Sequence, residues 1–255
     1  GHDINYIALS GALHAIGPGD GPPLPPLNLV GDFGGGAGYC AFGMVTALLH
    51  AQRTGQGQVV DAAMVDGAAA LLTMVVGFQR GGIWTSRRGD NIVDGGAPYY
   101  GAYETSDGRY VAIGAMEEKF YELLLVKLGL ADDPMMRPHT DRARWAYQRE
   151  RFAACFRTRS REEWCALLEG TDTCFAPVLT MEEAGNHPHI RARQTYADLH
   201  GVNQPAPCPR FSETKPATSI PPAKLGEHSR DILADWGFPA AAIDNLCRAK
   251  VVFQA

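Results

Sequence analysis

Two short stretches of this chain hold acid–base groups beside bare backbone. The chain opens Gly1-His2-Asp3-Ile4-Asn5-Tyr6, and residues 28–36 run Asn28-Leu29-Val30-Gly31-Asp32-Phe33-Gly34-Gly35-Gly36. The second stretch sets one carboxylate between an apolar run and three glycines. A carboxylate there can sit at a strand end facing a helix start, and the glycines let a substrate approach the main chain. His2 adds an imidazole, a group that ordinarily titrates near neutrality. One proton-transfer group on each side of a carbon is what a reaction needs when it removes a proton and then returns it.

Each of these residues also has a plainer role open to it. Asp32 suits the N-cap of a helix beginning near Gly34. A single histidine is often an ordinary surface or core residue, and Asp3 beside it points to the opposite face if the segment is a strand. The three glycines could cradle phosphate at a helix start, but no Lys stands at nucleotide-binding spacing. Glu117 and Glu118 follow Gly114-Ala115-Met116 at a helix start, where the helix dipole favours acids; the chemical alternative is that one of them orients a histidine. His187-Pro188-His189 looks like a metal pair only on the surface. The proline removes regular helical spacing and no carboxylate cluster accompanies it, so no metal is expected. Asp94 to Tyr100 is turn-rich and could line a pocket.

The elements that must position these groups follow from pattern. Residues 1–20 read as strand and loop. Four prolines in residues 21–27 exclude helix interior and central strand, leaving a surface crossing that delivers the chain to Asp32. Apolar residues recur at helical spacing from Gly36 to Arg53 and stop at Gly55 and Gly57. Gln58 to Met64 reads as a short buried strand. Val65 to Arg80 reads as a central helix, apolar nearly all round. A strand between two apolar helices implies an α/β layer with a parallel sheet. Past a polar loop, Trp84 to Ala97, the pattern changes. Tyr99–Glu104 and Arg109–Gly114 alternate around Ser106-Asp107-Gly108, a hairpin signal. Helices are predicted around 117–129, 141–157 and 160–169, the last opened by a Ser160/Glu163 capping box. A strand is predicted over 175–179, and Thr180 with Glu183 repeats the capping box. Proline-rich residues 203–223 read as an extended linker, and 226–249 as two helices broken at Gly237-Phe238-Pro239. The division expected is 1–96 in a large α/β domain, 97–195 in a small α+β domain, and 196–255 as linker and helices returning to the large domain.

Composition narrows the class. The 255 residues are 45% hydrophobic and 20% charged, enough for one large domain or two modest ones. A net charge of −5 without a basic stripe argues against a nucleic-acid partner. None of the six cysteines forms a Cys-x-x-Cys pair. They read as reduced, mostly buried small hydrophobes of a cytoplasmic protein. The longest apolar stretch, Ala68 to Phe78, falls short of the roughly 20 residues that cross a bilayer, so no membrane partner is expected.

In combination these segments resemble the family III CoA-transferase superfamily, and within it the racemases. The likeness is carried by Gly1 to Tyr6, Asn28 to Gly36, Gly57-Gln58-Val59-Val60-Asp61-Ala62-Ala63-Met64-Val65-Asp66-Gly67, Asp94 to Tyr100, the hairpin, Gly114-Ala115-Met116-Glu117 and Leu225-Gly226-Glu227-His228-Ser229-Arg230. The blocks run in family order over nearly the whole chain. The resemblance implies a large α/β domain, a small domain, and an interlocked homodimer whose active sites are shared between subunits. It also implies roles. His2 matches the base on one face of the substrate, Asp32 the base on the other, and Glu117 the small-domain acid that partners the histidine. Gly1, His2, Asp3, Ile4, Asn5 and Tyr6 match contacts to CoA. The implied reaction is epimerisation of the α-carbon of a 2-methylacyl-CoA thioester through an enolate. No separate cofactor is implied, because CoA is part of the substrate. Two other readings stay open: a CoA-transferase in which Asp32 is the nucleophile, and a non-catalytic CoA-binding or oligomerising remnant. Family racemases carry further chain ahead of the His2 motif, which supplies sheet strands and cationic contacts to CoA. The expectation is that this chain is a piece of a longer enzyme, or else binds CoA weakly.

Overall fold

The computed structural model describes residues 1–214, 216 and 221–255. They divide into two compact units, Gly1–Val178 and Leu179–Ala255.

The first unit opens on a helix, where strand and loop were expected. Helix α1 (Asp3–Leu9) buries Asp3 and Ile7, four residues apart on one face. Asn5 closes its first turn: its Oδ1 accepts from the His2 N–H at 2.9 Å. A 3₁₀ turn (Leu13–Ala15) follows, then the proline crossing in irregular backbone. Asp32 is not at a strand end. It lies in the first turn of a ten-residue π-helix, Leu29–Gly38, which runs into α2 (Tyr39–Thr54). The glycines are used for close packing between helices. A Cβ on Gly67 would stand 1.8 Å from the Gly35 carbonyl oxygen, and one on Gly35 would stand 2.6 Å from the Ala68 nitrogen. Only two bare backbones can cross at that distance. Helix α2 stops where expected, at Gly55 with φ +74°.

Gln58 to Met64 does not form a strand. Residues 56–63 are irregular, and Val59 is exposed. The Val59-Val60 pair suits a strand, but among the described residues no neighbouring strand pairs with it. The single helix expected over 65–80 is two, α3 (Met64–Leu71) and α4 (Thr73–Arg80), broken at Leu72. Neither is central: Gly67 and Ala68 are their only buried residues. Among the described residues both sheets are antiparallel, so the parallel sheet expected in 1–96 is not seen there.

The second half of this unit follows its sequence pattern closely. Strands β1 (Tyr100–Glu104) and β2 (Tyr110–Gly114) pair Tyr100 with Gly114 and Glu104 with Tyr110. Gly108 in the connecting turn has φ +71°. Strand β3 (Phe175–Val178) adds to β2. Helices α5 (Glu118–Leu128), α6 (Trp145–Phe156) and α7 (Arg161–Leu168) cover the sheet, with a core of Tyr103, Tyr121, Phe152, Phe156 and Trp164 among others. Ser160 caps α7 as read from sequence, accepting from the Glu163 N–H.

The second unit contains α8 (Met181–Ala184), α9 (Pro188–Ala192), a hairpin of β4 (Tyr196–Leu199) and β5 (Val202–Pro205), and helices α10 (Ser229–Asp235) and α11 (Ala240–Arg248). The Thr180/Glu183 capping box is formed. The predicted linker 203–223 begins inside β5, and its positions 215 and 217–220 lie outside the described residues. The last two helices break at Gly237, which has φ +84°. All six cysteines are unpaired, but none is buried: Cys174 and Cys208 are exposed and the others half-buried. Among the described residues no helix is long and apolar enough to cross a membrane.

Candidate active site

A carboxylate–backbone bond that sequence pattern did not suggest joins the two motifs. The Asp3 Oδ2 accepts from the Asp32 N–H at 2.7 Å, across 29 residues of sequence. Because the segment is helical, Asp3 is not turned to the far side of a strand. Its side chain is directed at the π-helix backbone and is only 8% exposed. Gly31 is required at that contact, since a Cβ there would lie 2.3 Å from the Asp3 carboxylate. The other Asp3 oxygen, Oδ1, is buried and finds no hydrogen-bond partner among the described residues. A buried donor or acceptor left unpaired is costly, so losing the Asp32 N–H bond would strand a second group.

This bond links the two stretches that hold the predicted bases. His2 is the residue before Asp3, exposed, with backbone in the extended region at the head of α1. Asp32 is half-buried, and its Oδ2 accepts from Asn28 Nδ2 at 3.1 Å. The Asp3–Asp32 bond therefore holds the Asp3 side chain, next to His2 in sequence, against the main chain at Asp32. The Tyr6 ring folds back to Gly1, whose Cβ position is 3.1 Å from the Tyr6 hydroxyl, so glycine lets the two ends of this segment close up. Residues 1–52 carry no Lys or Arg. Any contact this segment makes with an anionic ligand must use backbone N–H groups or neutral side chains.

Glu117 is not bonded to that pair. It occupies the N-cap of α5, is exposed, and forms no hydrogen bond or ion pair with His2 or Asp32 among the described residues. It lies close enough to Cys174 that its charge, after burial, helps push that thiol's pKa up. Cys174 lines an open trough of about 630 Å³ on the outer sheet face, with Tyr100, Gly114 and Ala176.

The loop after α4 carries polar order that pattern reading missed. Asn91 is buried; its Nδ2 donates to Asp94 Oδ2 at 2.8 Å, and its Oδ1 accepts from the Thr85 N–H at 2.7 Å. The Arg88 guanidinium donates to the carbonyls of His14 and Gly21, tying this loop to the proline crossing. These residues line a cleft of about 230 Å³ with Leu72 and Val76. Asp94, singled out as a pocket residue, does line this cleft, but its carboxylate is spent on Asn91 and the Gly96 N–H. The only signal for this knot in sequence was the density of turn-forming Asp, Asn and Gly. His187 and His189 sit at the start of α9, and among the described residues no three potential metal ligands cluster.

Comparison with known proteins fits this arrangement. The CoA-transferase family III profile matches residues 1–229. The chain is 44% identical over 257 residues to alpha-methylacyl-CoA racemase of Mus musculus, covering 99% of this chain and 66% of that protein. It is 42% identical over 259 residues to alpha-methylacyl-CoA racemase of Homo sapiens, again covering 99% and 66%. The chain thus spans 66% of the length of these curated relatives. In fold it is similar to the crystal structure of a CAIB/BAIF family protein from Brucella suis, with a TM-score of 0.74 at 22% identity, over 92% of this chain and 62% of that one. With the profile running through nearly all of the sequence and the site motifs inside it, the chain belongs to CoA-transferase family III.

Proposed function

We propose that the protein containing this chain epimerises the α-carbon of 2-methylacyl-CoA thioesters by two-base proton transfer. The observation that carries the reading is the Asp3–Asp32 bond, which ties the residue after His2 to the Asp32 main chain. In one direction His2 takes the α-proton, the C–H electron pair moves into an enolate, and a protonated Asp32 returns a proton to the opposite face. In the other direction the roles reverse. A thioester α-proton is weakly acidic, so holding each base in line and donating hydrogen bonds to the enolate oxygen must each supply several kcal/mol. Gly1 to Tyr6 contact CoA, with the main chain as donor. Glu117 is the acid that partners His2. The two engage across a homodimer with shared active sites, a reading supported by the lack of any bond between them within one chain among the described residues.

The same reading places 1–96 in a large domain completed by a parallel sheet, 97–195 in a small domain, and 196–255 returning to the large one. The exposed apolar side of α2 (Phe42, Val45, Leu48) supports burial against further polypeptide. Six unpaired cysteines favour a reducing compartment, and we take the cytoplasm as the location.

The test is incubation of the full-length protein with a 2-methylacyl-CoA in heavy water. Deuterium at C2 without acyl exchange is expected. His2→Ala and Asp32→Ala should each reduce it by about 10²–10⁴-fold while the fold is kept. Transfer of CoA to an added carboxylate would instead make Asp32 a nucleophile, and full activity in either variant would remove that residue from the mechanism.

A further inference from the structure

His139 is a histidine with no part in the proposed chemistry, yet it is one of the most constrained side chains in the first unit. It is 9% exposed. Its ring stacks on Tyr121 (centroids 4.7 Å apart, planes at 24°) and meets Tyr99 edge-on, also at 4.7 Å. Its own carbonyl accepts from Trp145 Nε1 at 2.8 Å. Held this way, the ring sets Nε2 2.9 Å from the Met116 carbonyl oxygen. A carbonyl can only accept, so Nε2 carries the proton and donates.

The Met116 carbonyl belongs to the peptide that leads into Glu117. Fixing that peptide plane fixes the axis about which the Glu117 φ turns, and so the direction in which its side chain leaves the backbone. On the other side of Glu117, its carbonyl accepts from the Phe120 and Tyr121 N–H groups at 3.0 Å each. Tyr121 is the residue on which the His139 ring stacks. One imidazole therefore grips the chain on both sides of Glu117, by a hydrogen bond before it and a ring contact after it. The charged groups near this ring are Glu118, Glu122 and Arg137, which share its cleft of about 410 Å³. Arg137 and Glu122 are paired with each other, which leaves the Met116 carbonyl as the hydrogen-bond partner of the ring.

We infer that His139 is a positioning residue for Glu117, setting the approach of that carboxylate through the Met116 peptide. This rests on the reading of Glu117 as the acid that partners the catalytic histidine. Two variants separate the donor from the ring. His139→Phe keeps an aromatic ring against Tyr121 and loses the donor; His139→Gln keeps an N–H donor at a similar reach and loses the ring. In the full-length protein, H139F is expected to lower kcat for epimerisation by about ten- to a hundredfold with KM unchanged, the scale of effect that misplacing a catalytic group produces. H139Q is expected to restore most of that loss. The double variant E117Q/H139F should be no slower than E117Q alone. Amide hydrogen exchange at Phe120 and Tyr121, on the side held by the ring contact, should quicken in H139Q and not in H139F. Wild-type kcat in H139F, equal damage in H139Q and H139F, or additive loss in the double variant would each overturn the inference. E117Q at wild-type kcat would instead overturn the role of Glu117. The two failures are distinguishable because exchange at Phe120 and Tyr121 reports the clamp without reference to turnover.

Discussion

Residues 1–96 and 97–178 belong to one unit, but they are built differently. The later segment has a closed core: Tyr121, Phe152, Phe156 and Leu168 are fully buried, and neighbouring aromatic rings meet edge-on. In the earlier segment the buried hydrophobic cluster is Ile7, Ala12 and Ala68, while α2 turns large apolar side chains to the surface. What orders the earlier segment is specific contact: a carboxylate on a main-chain N–H, two crossing glycines, and an arginine on loop carbonyls. The predicted bases His2 and Asp32 lie in this part and the supporting acid Glu117 in the other. Region 97–178 holds its shape through buried area. Region 1–96 is held by a few close contacts, and leaves large apolar side chains of α2 exposed.

The contrast makes its largest prediction in the core. Phe152→Ala removes a fully buried ring that touches Tyr103 and Tyr121, and should destabilise the protein by about 3–5 kcal/mol. Phe42→Ala, at a side chain 73% exposed, should change stability by less than about 0.5 kcal/mol in a dilute sample. Urea denaturation at two protein concentrations checks both. If α2 packs on a second subunit, the Phe42 effect will grow with concentration and the Phe152 effect will not. Equal losses in both variants at low concentration would show that the two regions do not differ as described.

The next effects test the contacts in 1–96. Gly67→Ala drives a methyl group into the Gly35 carbonyl and should cost about 1–3 kcal/mol. It should also lower turnover, because the π-helix that must shift is the one carrying Asp32. Asp3→Ala leaves the Asp32 N–H without its acceptor and should cost a similar 1–3 kcal/mol. On the proposed reaction its signature is a fall in kcat with KM for the thioester held, since the Asp3 side chain is turned to the Asp32 main chain. A rise in KM alone would mean that the Asp3 side chain, and not only its main chain, serves the CoA contact.

The same contrast explains what the sequence disclosed. The β1–β2 hairpin, the Ser160 and Thr180 capping boxes and the Gly55 stop are local devices, each complete within a few residues, and each stands where its residues indicate. The structure of 1–96 depends on distant pairs. Gly35 and Gly67 look alike whether they serve a phosphate loop or a helix crossing, and only the partner decides. On a strand Asp3 would point to the face opposite His2. On a helix it faces a backbone 29 residues further on. Val59 and Val60 carry strand propensity, but a strand needs a neighbour, and among the described residues they have none. His139 is a single residue in a polar stretch, and its value lies in meeting Met116 and Tyr121 at once.

The smallest effect lies in the region with the closed core, at the rim of the His139 cleft. Arg137 Nε donates to Glu122 Oε1 at 2.7 Å, and this bond, more than the accompanying charge, holds the Glu122 carboxyl below its ordinary value of 4.5. A carboxyl depressed in the folded state contributes stability that is present above its unfolded value and is lost as pH falls through the folded one. The wild-type protein should therefore lose stability relative to Glu122→Gln only as the solution is acidified below about pH 4.5. Both side chains are more than a third exposed, so solvent screens the pair and the difference should be about 0.2–1 kcal/mol. Urea midpoints for the two proteins should run parallel at neutral pH and converge on the acid side. If the gap instead opens at neutral pH and reaches the scale of the Phe152 loss, the ion pair is part of what keeps this region closed. The buried rings would then not be sufficient to explain its difference from 1–96.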